Sequence, residues 1–468
     1  MSSMSESKQT DVLILGAGPA GLTAAHKLVE RKHSVHIVDK CSEVGGLAKT
    51  LKHGDILYDI GPHILCNKEY VYDYNPEMYA YIQSLIGDEY YDYEQLNKLY
   101  LESVSAGSKK YKYPVSIRNA VSNVGLIGSI GIGFDYLCAC LKKNDAKDYE
   151  GSLVSSLGRR LSSLFLLQLG EKNWGMPCSQ MSADVAWRVG DFSIVDVVLK
   201  QAKGILGSLS RKGNPVSYPK KGIGVICERQ KEVIDASGMA SWSLSSIPHK
   251  LVVEGGSVVS AEILSLETGS VEIKSPRQVI SSIPLSDLLK TVSPPPPENV
   301  LKAAESLRSR SHICVGLIFD APTILKEHCI YFADSEIPFA RMMEQNHYSD
   351  EMVPEGNTLL IVEYFCWFED DVWKMGDSTL SAQTLEWLKK LGIVGDEERV
   401  DAFVHREKDA YPAYELGYEK NLEKVEEYLS SISNLHVIGR VGSFSYIGQY
   451  KAMQMGYDLA SKLSEHDW

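Results

Sequence analysis

The sequence predicts an α/β chain: a Rossmann-like, doubly wound dinucleotide-binding domain with an inserted mixed β-sheet and a helical substrate region. Three observations predict it. Residues 11–39 form a complete strand–glycine–helix–strand–acid unit. A second glycine pair, Gly45-Gly46, follows just beyond. Residues 435–463 close the chain with another strand, glycine turn and helix.

The first unit is the most specific. Val12, Leu13, Ile14 and Leu15 make an apolar run short enough for a buried parallel strand. Gly16, Gly18 and Gly21 follow at G-x-G-x-x-G spacing. Gly16 permits the tight turn, Gly18 lets a pyrophosphate approach the backbone, and Gly21 lets helix and strand pack closely. The helix that starts at Pro19 offers its free N–H groups and positive dipole end to phosphates. A second strand, Ser34 to Val38, ends on Asp39, placed to take a ribose hydroxyl. A lone G-x-G-x-x-G is weak evidence; the full unit within about 30 residues is strong.

Bulk properties bound the rest. The chain has 468 residues, enough for two or three domains with sizeable cores. Its 44% hydrophobic and 23% charged residues describe a globular protein. A formal net charge of −13 argues against nucleic acid as a partner and against a general attraction to anionic membranes. Nine cysteines are scattered without a CxxC pair, which fits a reducing cytoplasm better than a disulfide framework. Cys138 and Cys140 are poorly spaced for zinc, and no metal site is expected. The opening ten residues are polar, unlike a signal peptide. Ala120 to Leu141 is long enough to span a membrane, but it holds Asn123, Asp135 and four glycines; a buried helical segment or hairpin is expected instead.

The expected organisation is discontinuous. Residues 1–68, 216–295 and 416–468 are assigned to the dinucleotide domain. Residues 69–215 are read as a mostly helical insert, and 296–415 as a substrate-binding sheet. Ser241 to Lys274 reads as successive strands with a hairpin turn at Glu254-Gly255-Gly256-Ser257. The apolar strand Gln278 to Ile283 then returns the chain to the dinucleotide sheet. Within the insert, Arg188 falls in an apolar helix, where an arginine usually reaches for the surface. Further on, alternation places Phe339 and Arg341 on one face if Pro338 to Met342 is a strand, so that both face one cavity.

Together these residues resemble the amine oxidase and protoporphyrinogen oxidase-type flavoproteins. More narrowly they resemble the branch containing UDP-galactopyranose mutases, over Asp11 to about Leu463. The resemblance implies FAD. Gly45-Gly46-Leu47 is similar to the second glycine pair along the FAD pyrophosphate, with Leu47 where many oxidases have arginine. Gly61-Pro62-His63 resembles the turn at the flavin ring, which implies His63 close to N5. Arg188 and Arg341 resemble the arginines that hold a substrate pyrophosphate, and Tyr331 and Tyr411 resemble tyrosines beside it. Gly439-Arg440 with Tyr446 resembles the closing G-R element, whose following helix faces the flavin C2 carbonyl. Two departures stand out: Pro62 replaces a small residue, and Ile447-Gly448-Gln449-Tyr450-Lys451 replaces a polar run.

Two enzyme readings and one non-enzyme reading follow. As a mutase-like isomerase on a nucleotide-diphosphate sugar, the protein uses reduced flavin N5 as the nucleophile, with no net redox and NAD(P)H as a candidate reductant. As an oxidoreductase, it passes a hydride from a sugar, an amine or a ring carbon to the flavin. The third class is a flavoprotein fold kept as a binding or assembly component, which the intact FAD motifs disfavour. The sequence sets no oligomeric state.

Overall fold

The structure, a computed structural model, describes residues 8–66, 75–95, 97–101, 109–113, 128, 130–139, 141, 146–185, 214–395 and 399–463. Alternation along the first strand, Lys8–Leu15, decides the architecture. Leu13 and Leu15 enter one layer, and Val12 and Ile14 the other; all four are fully buried. The first layer holds Leu288, Ala303 and Leu429, from the helices Leu285–Thr291, Glu298–Ser306 and Tyr418–Ser430. The second holds Leu22 and Ala25 of Pro19–Glu30 and Ala452 and Ala460 of Gln449–Lys462. Helices on both faces of a parallel core are the doubly wound arrangement that the sequence predicts.

The sheet itself has eight strands. In order they are Ala240–Ser243, Val35–Val38, Lys8–Leu15, Val271–Ser281, Ser257–Ser265, Ser246–Glu254 and Val292–Ser293, with Leu435–Val437 also paired to Val271–Ser281. The first strand is parallel to both neighbours, with Leu13 opposite His36 on one side and Val279 on the other. The sequence reads two separate strands near 271 and 278. They are one, because Lys274 to Pro276 stay in register with Lys8 to Thr10.

A second sheet has seven strands: Arg399–Pro412, Ser309–Phe319, Thr358–Cys366, Arg341–Glu344, Cys329–Phe332, Asn97–Leu101 and Lys109–Tyr113. Its last two strands come from the stretch expected to be mostly helical. In that stretch Tyr90–Gln95 is also a strand, paired with Asn214–Pro219. Just before it, Pro76–Ile86 is a helix that carries Tyr79 and Tyr81, whereas Tyr90, Tyr91 and Tyr93 lie on the strand, where aromatic residues fit a pleated surface.

The expectation for Ala120 to Leu141 also needs correction. Its described part contains a helix over residues 130–139, yet Ile130, Phe134, Leu137 and Leu141 are exposed rather than buried. Among the described residues, no helix is long and apolar enough to cross a membrane.

Two glycines hold the nucleotide-binding corner together. Gly16 has φ +103°, a left-handed conformation that side chains rarely tolerate. A Cβ on Gly21 would lie 2.1 Å from the Gly16 carbonyl oxygen and 3.2 Å from Ile14 Cγ2. Gly21→Val therefore forces the helix Pro19–Glu30 away from the sheet. The expected cost is about 1–3 kcal/mol or more, read as a lower thermal midpoint together with a reduced flavin-to-protein absorbance ratio. A variant that keeps both values would contradict the close-packing role of Gly21.

Candidate active site

A cavity of about 580 Å³ opens at the carboxyl ends of the parallel strands, where ligands bind in open α/β sheets. The sequence-predicted residues Gly16, Gly18, Asp39, Gly46, Leu47, His63, Gly439 and Arg440 all line it. Gly21, Gly45 and Gly61 do not. Gly21 serves packing, and the Gly45 N–H donates to the Ala17 carbonyl at 2.8 Å.

Three features of this cavity fit a dinucleotide. The helices Pro19–Glu30 and Gln449–Lys462 both begin at its wall, and neither has a side-chain cap. Their free N–H groups and dipoles favour an anion there. Gly18 presents open backbone: a Cβ placed on it would meet only Gly46 Cα, at 3.9 Å. The buried Gln449 Nε2, also on this wall, has no hydrogen-bond partner, and such a donor asks for a ligand acceptor. Asp39 accepts from the Ala17 N–H at 2.7 Å and the Cys41 N–H at 2.8 Å, one on each oxygen. Each oxygen keeps a lone pair for a ribose hydroxyl.

His63 marks the far end of this cavity. Burial, then the nearby Arg440 guanidinium, push its pKa down to about 4, so the ring is neutral near pH 7. Nδ1 lies 3.1 Å from the Gly61 carbonyl oxygen. A carbonyl only accepts, so Nδ1 carries the proton and Nε2 is left as an acceptor.

A second, smaller cavity of about 80 Å³ lies on the seven-stranded sheet. It is lined by Asn173, Trp174, Tyr331, Arg341, Phe365, Tyr411 and Tyr446. Strand register explains the gathering. Tyr331 is opposite Arg341, Arg341 opposite Glu363, His312 opposite Phe365, and Arg310 opposite Tyr411. Opposed residues share a face, as do residues two apart on a strand. Above this face, Tyr446 meets Trp174 edge-on at 4.9 Å and Tyr411 at 6.0 Å. Arg440 joins the two cavities: it lines the larger and lies 5.1 Å from the Tyr411 ring.

The charge in the smaller cavity is held from behind. Arg341 donates from Nε and Nη2 to Glu363 Oε2, at 2.8 and 2.5 Å, and His312 Nε2 lies 3.3 Å from the same oxygen. Burial alone would raise the Glu363 pKa, but Arg341 and His312 outweigh it and hold the carboxyl at about 2. Nearer the dinucleotide cavity, Lys49 and His405 pair with Glu407 at 3.1 and 2.9 Å. There too burial is outweighed, and Glu407 sits at about 2.

Besides Gly21, Gly45 and Gly61, the placements differ from expectation at Phe339 and Tyr446. Phe339 does not face the cavity. It precedes the strand Arg341–Glu344 and is fully buried in the core, edge-on to Phe332 at 4.9 Å and Tyr364 at 5.8 Å. The alternation argument fails because the strand starts only at Arg341. Arg188 lies outside the described residues. Tyr446, assigned to both cofactor and substrate, lines only the smaller cavity. Sequence reasoning missed Glu363, His312, Asn173, Trp174 and Phe365. Glu363 did leave a signal, a lone carboxylate in the apolar strand Thr358–Cys366, since a buried charge needs a partner.

Comparison with known proteins agrees with the fold. A family model described as flavin containing amine oxidoreductase matches residues 246–442, and one described as an NAD(P)-binding Rossmann-like domain matches residues 14–85. Together they span more than half the chain. The 4,4'-diapophytoene desaturase (4,4'-diaponeurosporene-forming) of Staphylococcus aureus (strain MRSA252) is 32% identical over 88 residues, which is 19% of this chain and only 16% of the desaturase. Reduced UDP-galactopyranose mutase superposes with a TM-score of 0.79 at 18% identity, covering 97% of this chain and 94% of the mutase. Putrescine oxidase bound to putrescine gives 0.62 at 15% identity, covering 98% and 99%. An oxidoreductase from Methanosarcina mazei gives 0.66 at 13% identity, covering 97% and 100%. These structural likenesses show the fold.

The buried pair sets an acid-stability prediction. Glu363 and Glu407 have folded pKa values of about 2, below the ordinary 4.5. Their stabilisation is full above pH 4.5 and is lost as the pH falls toward 2. Asp59, fully buried and raised from 3.8 to about 6 by burial, has the opposite sign: it costs stability as the pH rises from 3.8 through 6. The thermal midpoint should therefore fall steeply on acidification below pH 4.5. Glu363→Gln should lower it at neutral pH by the equivalent of about 3–5 kcal/mol and flatten the acid limb. An unchanged acid limb in that variant would remove Glu363 from the account.

Proposed function

Given that this chain is an FAD-dependent enzyme of the flavin-containing amine oxidoreductase superfamily, we propose that it acts on a nucleotide-diphosphate sugar by mutase-like isomerisation. The observation that carries this reading is the convergence of Arg341 with Tyr331, Tyr411 and Tyr446 on one small cavity beside the dinucleotide cavity.

Each residue has a task in this reading. Arg341 spends Nε and Nη2 on Glu363 and so offers Nη1, in a fixed orientation, to a pyrophosphate oxygen. The hydroxyls of Tyr331, Tyr411 and Tyr446 donate to the remaining phosphate oxygens, while Trp174 and Phe365 keep water from the anomeric carbon. Bound FAD supplies, in its reduced form, a nucleophilic N5 for displacement at that carbon. His63 Nε2 would accept a hydrogen bond from bound flavin without carrying charge. Arg188 is the proposed second arginine on the pyrophosphate, and NAD(P)H the proposed reductant.

Superposition with a UDP-galactopyranose mutase over nearly the whole chain supports this reading at the level of fold. One observation favours the second reading, hydride transfer from substrate to oxidised flavin. After Tyr446, Ile447-Gly448-Gln449-Tyr450-Lys451 stands where the mutase pattern continues with Asn, Asp and His.

The test is anaerobic. Reduced enzyme is incubated with a panel of UDP-, GDP- and dTDP-sugars, and products are separated by chromatography and mass spectrometry. The expected outcome is an isomer of unchanged mass, formed only by the reduced protein. Arg341→Lys, which keeps a charge on Glu363 but loses the planar fork, should slow its formation on the order of 100-fold. If instead a sugar bleaches the oxidised flavin and no isomer forms, the enzyme is an oxidoreductase on that substrate.

A further inference from the structure

Four large apolar side chains stand in solvent on one short stretch. Ile130, Phe134, Leu137 and Leu141 are 66%, 65%, 63% and 88% exposed. Ile130, Phe134 and Leu137, four and three residues apart, share one stripe of the helix over residues 130–139, and Leu141 lies in a turn just beyond it. The opposite side of that helix is already used. Tyr136 and Ala139 are buried, and Ile132 packs into the cluster that contains Leu161, Trp174, Tyr331 and Tyr446. The stripe is therefore a second apolar face, not a core face turned outward.

We propose that this stripe seats on the surface of a zwitterionic phospholipid bilayer, with the helix lying in the plane of the interface. Area and charge select this occupant. Four such side chains present on the order of 500 Å² of apolar surface, a patch large enough to mark an interaction site. It is smaller than the roughly 800 Å² per partner that a stable dimer buries. A bilayer accepts a shallow stripe without a shaped counterpart.

Among the described residues, charges near this helix occur in pairs of opposite sign. Arg160 donates to the Gly131 carbonyl at 2.9 Å and pairs with Asp135 at 3.2 Å, so it runs along this same helix. Arg159 pairs with Glu150. Paired charges of both signs match headgroups that carry both signs. The net charge of −13 works against an anionic surface. The helix also rests on the cluster that walls the smaller cavity, so docking would hold that wall beside the lipid.

Vesicle flotation tests this without any catalytic assay. The flavin-loaded protein is mixed with phosphatidylcholine vesicles and centrifuged on a density step, at low and at high salt. The wild-type protein is expected to float under both conditions. The double variant Phe134→Glu, Leu137→Glu should bind at least tenfold less, with its flavin content and gel-filtration elution unchanged. Should that variant lose flavin, the end pair Ile130→Ser, Leu141→Ser gives the same reading. A wild-type protein that stays in solution, binding lost at high salt, or flavin-loaded variants that float as well as the wild type would each overturn the proposal. So would a wild-type dimer that the substitutions split without any vesicle binding.

Discussion

The parallel pairing of Lys8–Leu15 with Val271–Ser281 is the contact on which the rest of this fold depends. The first strand is apolar on both faces and needs a hydrogen-bonded neighbour on each edge. One neighbour, Val35–Val38, comes from its own strand–helix–strand unit. The other arrives only after most of the chain has been made, and then Leu435–Val437 joins beyond it. The described residues between Val38 and Ala240, and those between Ser293 and Leu435, lie outside this sheet. Those excursions build the wall above the carboxyl ends of the strands, which is where the cavities lie.

The same economy of position governs the site. Arg341, Glu363, Phe365, His312 and Tyr411 come from four strands and share a face only because the register of the second sheet sets them opposite one another. Arg341 carries its full charge in a partly buried wall because Glu363 lies behind it, held ionised by that same guanidinium and by His312. Such a pair contributes little net stability against its desolvation cost. What it supplies is direction: two of the three guanidinium nitrogens are committed, and the third is aimed.

The two ends of the active region are tuned differently. At the dinucleotide cavity the groups are backbone: uncapped helix starts and the open Gly18, which suit any pyrophosphate. At the smaller cavity they are side chains: one arginine, three tyrosines and two apolar rings. In the proposed function the first set recognises a class of cofactor and the second selects among substrates. His63 and Arg440 sit between them, one neutral and one charged, and Arg440 touches both through the Tyr411 ring.

The difference between local and long-range information explains what could be read from the chain itself. Residues 11–39 alone determined the dinucleotide corner, because Gly16, Gly18, Gly21 and Asp39 act within one continuous strand–helix–strand unit. The closing strand and helix were legible for the same reason, since their periodicity is local. The resemblance to a flavoprotein family picked out Arg341, Tyr331, Tyr411 and Tyr446 one at a time; the register of the second sheet gathers the first three, and the loop that follows Leu435–Val437 lays Tyr446 over them. Phe339 was misplaced because a strand's first residue is set by its partner, not by its own sequence. Glu363 and His312 were missed because a buried charge shows its role only when the group beside it is known. The exposed stripe on residues 130–141 was hidden likewise: an apolar run says that a surface wants cover, and only the tertiary structure decided which side of that helix the protein covers itself.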